Sequence, residues 1–157
     1  MLPSSYLVVQ TSLLPGAGKG LFTLVNIPRG TQIIEYIGHI TTWAAVKEDY
    51  DNPYIYYFNS KHVIDALPHA DALARYANDA AGMSRMPGIS NNCFFKKEGK
   101  RVFIQARRNI PAGSEILVNY GKGYWDTAIE NLRIDEEQTR KANRGKKTEK
   151  EALLEMY

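Results

Sequence analysis

Apolar positions in this chain come in short runs rather than in long helical stripes. YLVVQT (6–11), QIIEYI (32–37), YIYYF (54–58), HVIDA (62–66), NCFF (92–95), RVFIQA (101–106) and EILVNY (115–120) are rich in β-branched and aromatic residues, with turn residues between them. Runs of this kind predict strands. Asn59-Ser60-Lys61 and Glu98-Gly99-Lys100 have the make-up of hairpin tips. Helical patterning is confined to TTWAAVKEDY, where Thr42 is the expected cap, and HADALARYAN, expected to start at Asp71. The class expected is mainly β with a few short helices.

One pattern occurs twice. NIPRGTQIIEYIG (26–38) and NIPAGSEILVNYG (109–121) match with a constant offset of 83 residues. In I-P-x-G, proline presets φ at the second turn position and glycine suits the fourth position of a type I turn. Each copy is therefore expected to turn sharply and launch a strand. The repeat reads as a commonly reused turn, with duplication of a structural half as the alternative. The terminal tyrosines differ in phase, because Tyr36 matches Asn119 and Tyr120 matches Ile37. Alternation of side chains along a strand then lets the two rings converge only if their strands belong to different sheets.

Residues 126–157 change character. Between Glu130 and Glu155 there are seven acidic and seven basic residues, with Glu136–Arg140 and Glu137–Lys141 spaced for one helix face. This predicts a charged, solvated helical extension, broken near Gly145, following a domain over 1–125.

The totals narrow the classes. At 157 residues, 44% of them hydrophobic and 24% charged, the chain is long enough for one buried core without staples. Cys93 is the sole cysteine and the histidines are His39, His62 and His69, so neither a disulfide nor a metal centre is expected. No apolar run suits a membrane span, and MLPSSYLVVQ lacks the flank and apolar stretch of a secretion signal. An intracellular protein is expected, nuclear if the host is eukaryotic. A net charge of +3 argues no nucleic-acid site; RKANRGKK and KKEGKR read as solvated faces. Ten tyrosines against five phenylalanines suit a polar site with aromatic walls.

Four stretches concentrate the unusual residues. PGAGKGLF (15–22) is glycine-rich and runs into a strand, but its spacing fits neither a phosphate loop nor a dinucleotide turn. YIYYFNSKHVIDA is an aromatic hairpin in which core packing is the plain reading for Tyr56 or Tyr57. ARYANDAAGMSRMPGISNNC sets Asn78-Asp79 before a Gly/Pro/Ser loop, where an asparagine often only caps a helix. EILVNYGKGYW brings together Tyr120, Gly121, Tyr124 and Trp125.

In this order the four resemble a SET-domain protein lysine methyltransferase without zinc-binding flanks, over roughly residues 5–125. G-K-G-L-F, E-Y-x-G, Y-x-Y-Y-F, R-x-x-N, N-C and I-P-A-G-x-E-I-x-x-x-Y-G form the series. The resemblance implies a β-clip-like fold of small curved sheets with a C-terminal pseudoknot. It also implies S-adenosylmethionine as methyl donor, S-adenosylhomocysteine as product, and no metal. The donor would be held by Ala17, Gly18 and Lys19, by Tyr54, by Asn78 and Asp79, and by Trp125 over the adenine. Tyr36, Val118 and Tyr120 would line the channel for the substrate lysine, with Tyr120 as the catalytic residue. Asp79 stands where the family has histidine, and Val118 replaces an aromatic residue, leaving room for di- or trimethylation. Cys93 reads as a small buried hydrophobe. A histone tail is the first expected substrate. A non-histone protein, and a catalytically silent peptide-binding domain, stay open beside it.

Overall fold

In the computed structural model, residues 1–49, 52–121, 124, 133–134 and 136–144 are described. The chain divides into two compact units, Met1–Tyr120 and Gly121–Tyr157. No helix among the described residues is long and apolar enough to cross a membrane.

The first unit is built of three small sheets. One holds β1 (Leu7–Thr11), β2 (Lys19–Thr23) and β9 (Glu115–Ile116), with β2 central. The second runs in the order β10 (Val118–Asn119), β7 (Cys93–Glu98), β8 (Arg101–Ala106), β3 (Gln32–Glu35). The third sets β6 (His62–Asp65) between β4 (His39–Thr41) and β5 (Ile55–Asn59). Both expected hairpin tips are present, between β5 and β6 and between β7 and β8. Leu21, Ile33, Val63, Cys93, Val102, Ile104, Ile116 and Val118 are all 0% exposed and lie on strands of the three sheets. The valines and isoleucines among them are β-branched and suit a pleated surface, and each large side chain buried contributes roughly 2 kcal/mol.

The segment 115–119 belongs to two sheets in succession. Glu115 and Ile116 pair with β2, Leu117 bridges Asn78, and Val118 and Asn119 pair in parallel with Cys93 and Phe94. The Val118 N–H donates to the Asn78 carbonyl at 2.9 Å. On the other side the Leu117 carbonyl accepts from Asn92 at 3.0 Å and Cys93 at 2.9 Å. The chain thus threads between the Asn78 segment and the Asn92–Phe94 segment, which is the C-terminal pseudoknot.

The repeated motif is a paired structure. Ile27 and Ile110 exchange both backbone hydrogen bonds at 2.8 Å. The Asn109 side chain accepts from Arg29 N–H, and the Asn26 side chain accepts from Ala112 N–H, each at 2.8 Å. Gly30 N–H donates to Ala106, and Gly113 N–H to Thr23; Ala106 N–H donates to Thr31, and Thr23 N–H to Ser114. Every bond has a counterpart 83 residues away, so the two copies are related by a local two-fold. The turns differ in type from the expectation. Thr31 N–H donates to Pro28, and Ser114 N–H to Pro111, which puts Gly30 (φ 87°) and Gly113 (φ 86°) third in the turn. A positive φ there is the signature of a type II turn, which favours glycine.

Contrary to the expectation from their phase, the two tyrosines converge from a single sheet. Tyr36 and Tyr120 follow the edge strands β3 and β10 of one sheet, not of two. Those strands run in the same direction, because β3–β8 and β7–β8 are antiparallel while β7–β10 is parallel. Ile34 pairs with Ile104 and Ile104 with Phe95, so Tyr36, two residues on from Ile34, shares the Phe95 face. Tyr120, two residues on from Val118, falls opposite Phe95 from the other edge. Register between strands, with a bulge between Gln32 and Ile34, decides the facing; matched motif positions do not.

The helices are shorter than their pattern. Among the described residues of the first unit only Trp43–Val46 is α-helical, and Thr42 makes no side-chain cap bond. Residues 70–79 give a 3-10 turn, Leu73–Tyr76, rather than a helix from Asp71. Arg75 explains the difference: its guanidinium turns back to the Ala66 and Leu67 carbonyls at 3.1 and 3.0 Å. In the second unit residues 136–144 are helical and exposed, with ion pairs Arg133–Glu137 at 2.6 Å and Arg140–Glu136 at 3.8 Å. Gly145 lies outside the described residues.

Candidate active site

The glycine-rich stretch forms the β1–β2 connection. Positive φ at Gly16 (72°) and Gly18 (73°) lets it fold tightly, and Ser12 N–H closes it on the Gly18 carbonyl at 2.8 Å. Leu14 pins the loop inward, packing with Ala80 and Leu117 and alongside Ala17 and Ile89. Gly18 and Lys19 are left exposed and Ala17 half-buried.

Asn78 and Asp79 follow the 3-10 turn and meet the loop and the threaded strand. The Asn78 amide donates to the Lys19 carbonyl at 2.8 Å and to Glu115 Oε1 at 3.4 Å. Asp79, 3% exposed, uses both oxygens. Its Oδ1 accepts from Ala81 N–H and from the Asn91 amide, each at 2.8 Å, and Oδ2 accepts from Tyr120 N–H at 2.9 Å. Asn91 and Asn92 have separate duties. The first accepts from Ala80 N–H, while the second donates to the Glu115 carbonyl and accepts from Leu117 N–H.

An aromatic cluster occupies the end of the second sheet. Phe95 stacks with Tyr120 at 6.2 Å between ring centres and meets Tyr36 edge-on at 6.0 Å. Tyr56 closes the group, 5.1 Å from Phe95 and 6.0 Å from Tyr36. Burial pushes the Tyr56 phenol upward, which marks a surrounding hostile to charge. The Tyr120 hydroxyl donates to the Ala77 carbonyl, and the Tyr36 hydroxyl to the Tyr54 carbonyl at 2.8 Å. Tyr54 itself stands edge-on to Tyr76, with the Arg75 guanidinium 4.3 Å above its ring. Val118 is fully buried in the core against which Tyr120 packs.

Of the residues singled out in the sequence, Ala17, Gly18 and Lys19 share the loop that Asn78 bonds at Lys19, Asp79 bonds Tyr120, and Tyr36 bonds the Tyr54 carbonyl. Trp125 lies outside the described residues. Sequence reading missed Phe95, which joins Tyr36 to Tyr120, because NCFF offers two rings and no sign of which faces the site. It also missed Glu115, buried at 3% exposure, whose alternating position in a strand resembles any solvent-facing glutamate.

The Gly18, Lys19 and Ala77 carbonyls and the Asp79 and Glu115 carboxylates all accept hydrogen bonds from the chain itself, which fixes the loop, Asn78 and the Tyr120 strand in place.

Known proteins resemble this chain in sequence and in fold. Residues 18–121 match the model of the SET domain. The chain is 28% identical over 125 residues to histone-lysine N-methyltransferase set-1 of Caenorhabditis elegans, covering 73% of this chain and 50% of that protein. It is 31% identical over 110 residues to human histone-lysine N-methyltransferase 2D, covering 66% of this chain and 2% of that protein. It therefore spans half or less of the length of these relatives. In structure it resembles the methyltransferase domain of human PR domain-containing protein 2, with a TM-score of 0.56 at 23% identity, over 75% of this chain and 78% of that one. With the threaded strand and the matched span in agreement, the chain belongs to the SET-domain family.

Proposed function

We propose that the protein transfers methyl groups from S-adenosylmethionine to the ε-amine of a protein lysine, with a histone tail as the first substrate to test. The observation that carries this reading is the Tyr36–Phe95–Tyr120 cluster, set beside the Asn78-braced glycine loop. The histone-lysine methyltransferases among its relatives support the substrate class.

S-adenosylmethionine, when bound, supplies an electrophilic methyl group on a sulfonium; Ala17, Gly18, Lys19, Tyr54, Asn78 and Asp79 are the described residues proposed to hold it. Everything else asked of the protein is alignment and desolvation. In-line displacement needs the amine and the methyl carbon held at about 3–3.5 Å. The amine must also be neutral. An ordinary lysine with pKa near 10.4 stays deprotonated at pH 7 only at a cost of about 4.6 kcal/mol. A narrow ring-lined channel reduces that cost by disfavouring the ammonium form. The Tyr120 hydroxyl and the Ala77 carbonyl orient the reacting groups, and no side chain is required to act as a base. Val118 packs in the core at 0% exposure, so the proposal of di- or trimethyl products rests on its being smaller than an aromatic residue and is checked by product mass. A nuclear location follows where the host has a nucleus.

Incubation with labelled donor and core histones tests the reading. Label on a histone lysine is the expected result. Donor binding without transfer to any protein favours the silent, peptide-binding alternative.

A further inference from the structure

The structure assigns a role to Glu115: we propose that it is a positioning residue, setting the shape of the Ser12–Gly20 loop for the methyl donor. This inference rests on the methyltransferase reading. Oε1 accepts from Ser12 Oγ at 2.6 Å and from the Asn78 amide at 3.4 Å, while Oε2 accepts from Leu13 N–H at 3.0 Å. Ser12 Oγ in turn accepts from Leu14 N–H at 3.1 Å, and the Asn78 amide reaches the Lys19 carbonyl at 2.8 Å. One buried carboxylate thus fixes the entry of the loop directly and its exit through Asn78.

The seat for this carboxylate is built into the loop. A Cβ at position 20 would overlap Glu115 Oε1 and lie 3.0 Å from its Cδ, so any larger residue there would displace the carboxylate from this seat. Glu115 also sits on the strand that continues to Tyr120, and its own carbonyl accepts from Asn92 at 2.9 Å. Loop, Asn78 and the Tyr120 strand are therefore locked to one another by a single side chain.

A carboxylate suits this task where an amide does not. Every group facing it is a donor: a hydroxyl, a main-chain N–H and an amide NH2. Glu115→Gln places its own NH2 either against Leu13 N–H or against the Asn78 amide, and in the second case the Ser12 hydroxyl must also turn its proton away to accept. Both orientations set donor against donor.

The test uses the full chain with S-adenosylhomocysteine as calorimetric probe, amide exchange across 12–20, and KM for a lysine peptide. In Glu115→Gln and Gly20→Ala the probe's Kd is expected to rise about tenfold, the weight of one hydrogen bond to a charged group. The Leu13 and Leu14 amides should exchange faster, while peptide KM stays within about twofold. Ser12→Ala, which leaves the carboxylate in place, should give an intermediate loss and keeps the test open if the stronger variants fail to fold. If the wild-type chain binds the probe and folded variants bind it equally well, the Glu115 role is overturned. A parallel loss of probe affinity, peptide KM and thermal stability overturns it too, since that is a general fold defect. A wild-type chain that does not bind the probe overturns the methyltransferase reading, and the donor-directed role with it.

Discussion

The main-chain N–H of Tyr120 donates to Oδ2 of Asp79 at 2.9 Å, so the residue standing where the resemblance implies a histidine holds the backbone of the proposed catalytic tyrosine. The same carboxylate accepts from Ala81 N–H and the Asn91 amide. Asp79→Ala leaves all three donors without their partner in a buried place, and we expect a loss of about 3 kcal/mol, read from the urea midpoint. Asp79→His, which introduces the family residue, should also lose stability and gain no activity, because an imidazole has at most one accepting nitrogen. A histidine variant that is both more stable and faster would refute this account.

Tyr120→Phe removes the hydroxyl from the Ala77 carbonyl but keeps the ring on Phe95. Turnover is expected to fall about 10²-fold, with donor affinity changed by less than about twofold. Single-turnover kinetics with donor binding measured separately distinguishes this from a binding defect.

Stability should depend on pH through Glu35. The Arg101 guanidinium bonds its carboxylate at 2.8 and 2.9 Å and holds the carboxyl below its ordinary 4.5. A depressed folded value means the contribution is complete above the unfolded value and disappears as pH falls through the folded one. Thermal melts of wild type and Arg101→Gln should therefore differ by a constant amount near neutrality and converge in acid below 4.5. Arg101 is exposed, so the difference should be small and weaken with salt.

Cys93 is expected to be inert while the protein is folded. It is 0% exposed on β7, and burial pushes its thiol up to about 12, against a smaller opposing effect of Arg108. A thiol reagent at mildly alkaline pH should label it only at the rate of unfolding. Rapid labelling of native protein would contradict the packing described here.

Much of the fold was legible because it is written in short β-branched runs whose burial the sheets satisfy. The hairpin tips and the strand after each I-P-x-G turn followed from residue type alone. What escaped was decided by distant partners. HADALARYAN has helical composition, yet Arg75 reaches back to Ala66 and Leu67, and Asn78 leaves to bridge Leu117. EILVNY reads as one strand, but it changes sheets at Leu117. In the site, Asn78, Asp79 and Tyr120 were legible as an ordered series, whereas Glu115 and Phe95 acquire meaning only from what packs against them.

The two-fold around Ile27 and Ile110 constrains how this architecture can come into being. Its side-chain clasps, Arg29 to Asn109 and Ala112 to Asn26, span 80 and 86 positions of chain. Each turn closes on itself through Thr31 to Pro28 or Ser114 to Pro111, but its side-chain clasp comes from the other turn. Closing so wide a loop is entropically slow. The glycine loop and Tyr120 flank that closure in the chain, so the proposed active site is assembled only once both ends of the first unit have found each other.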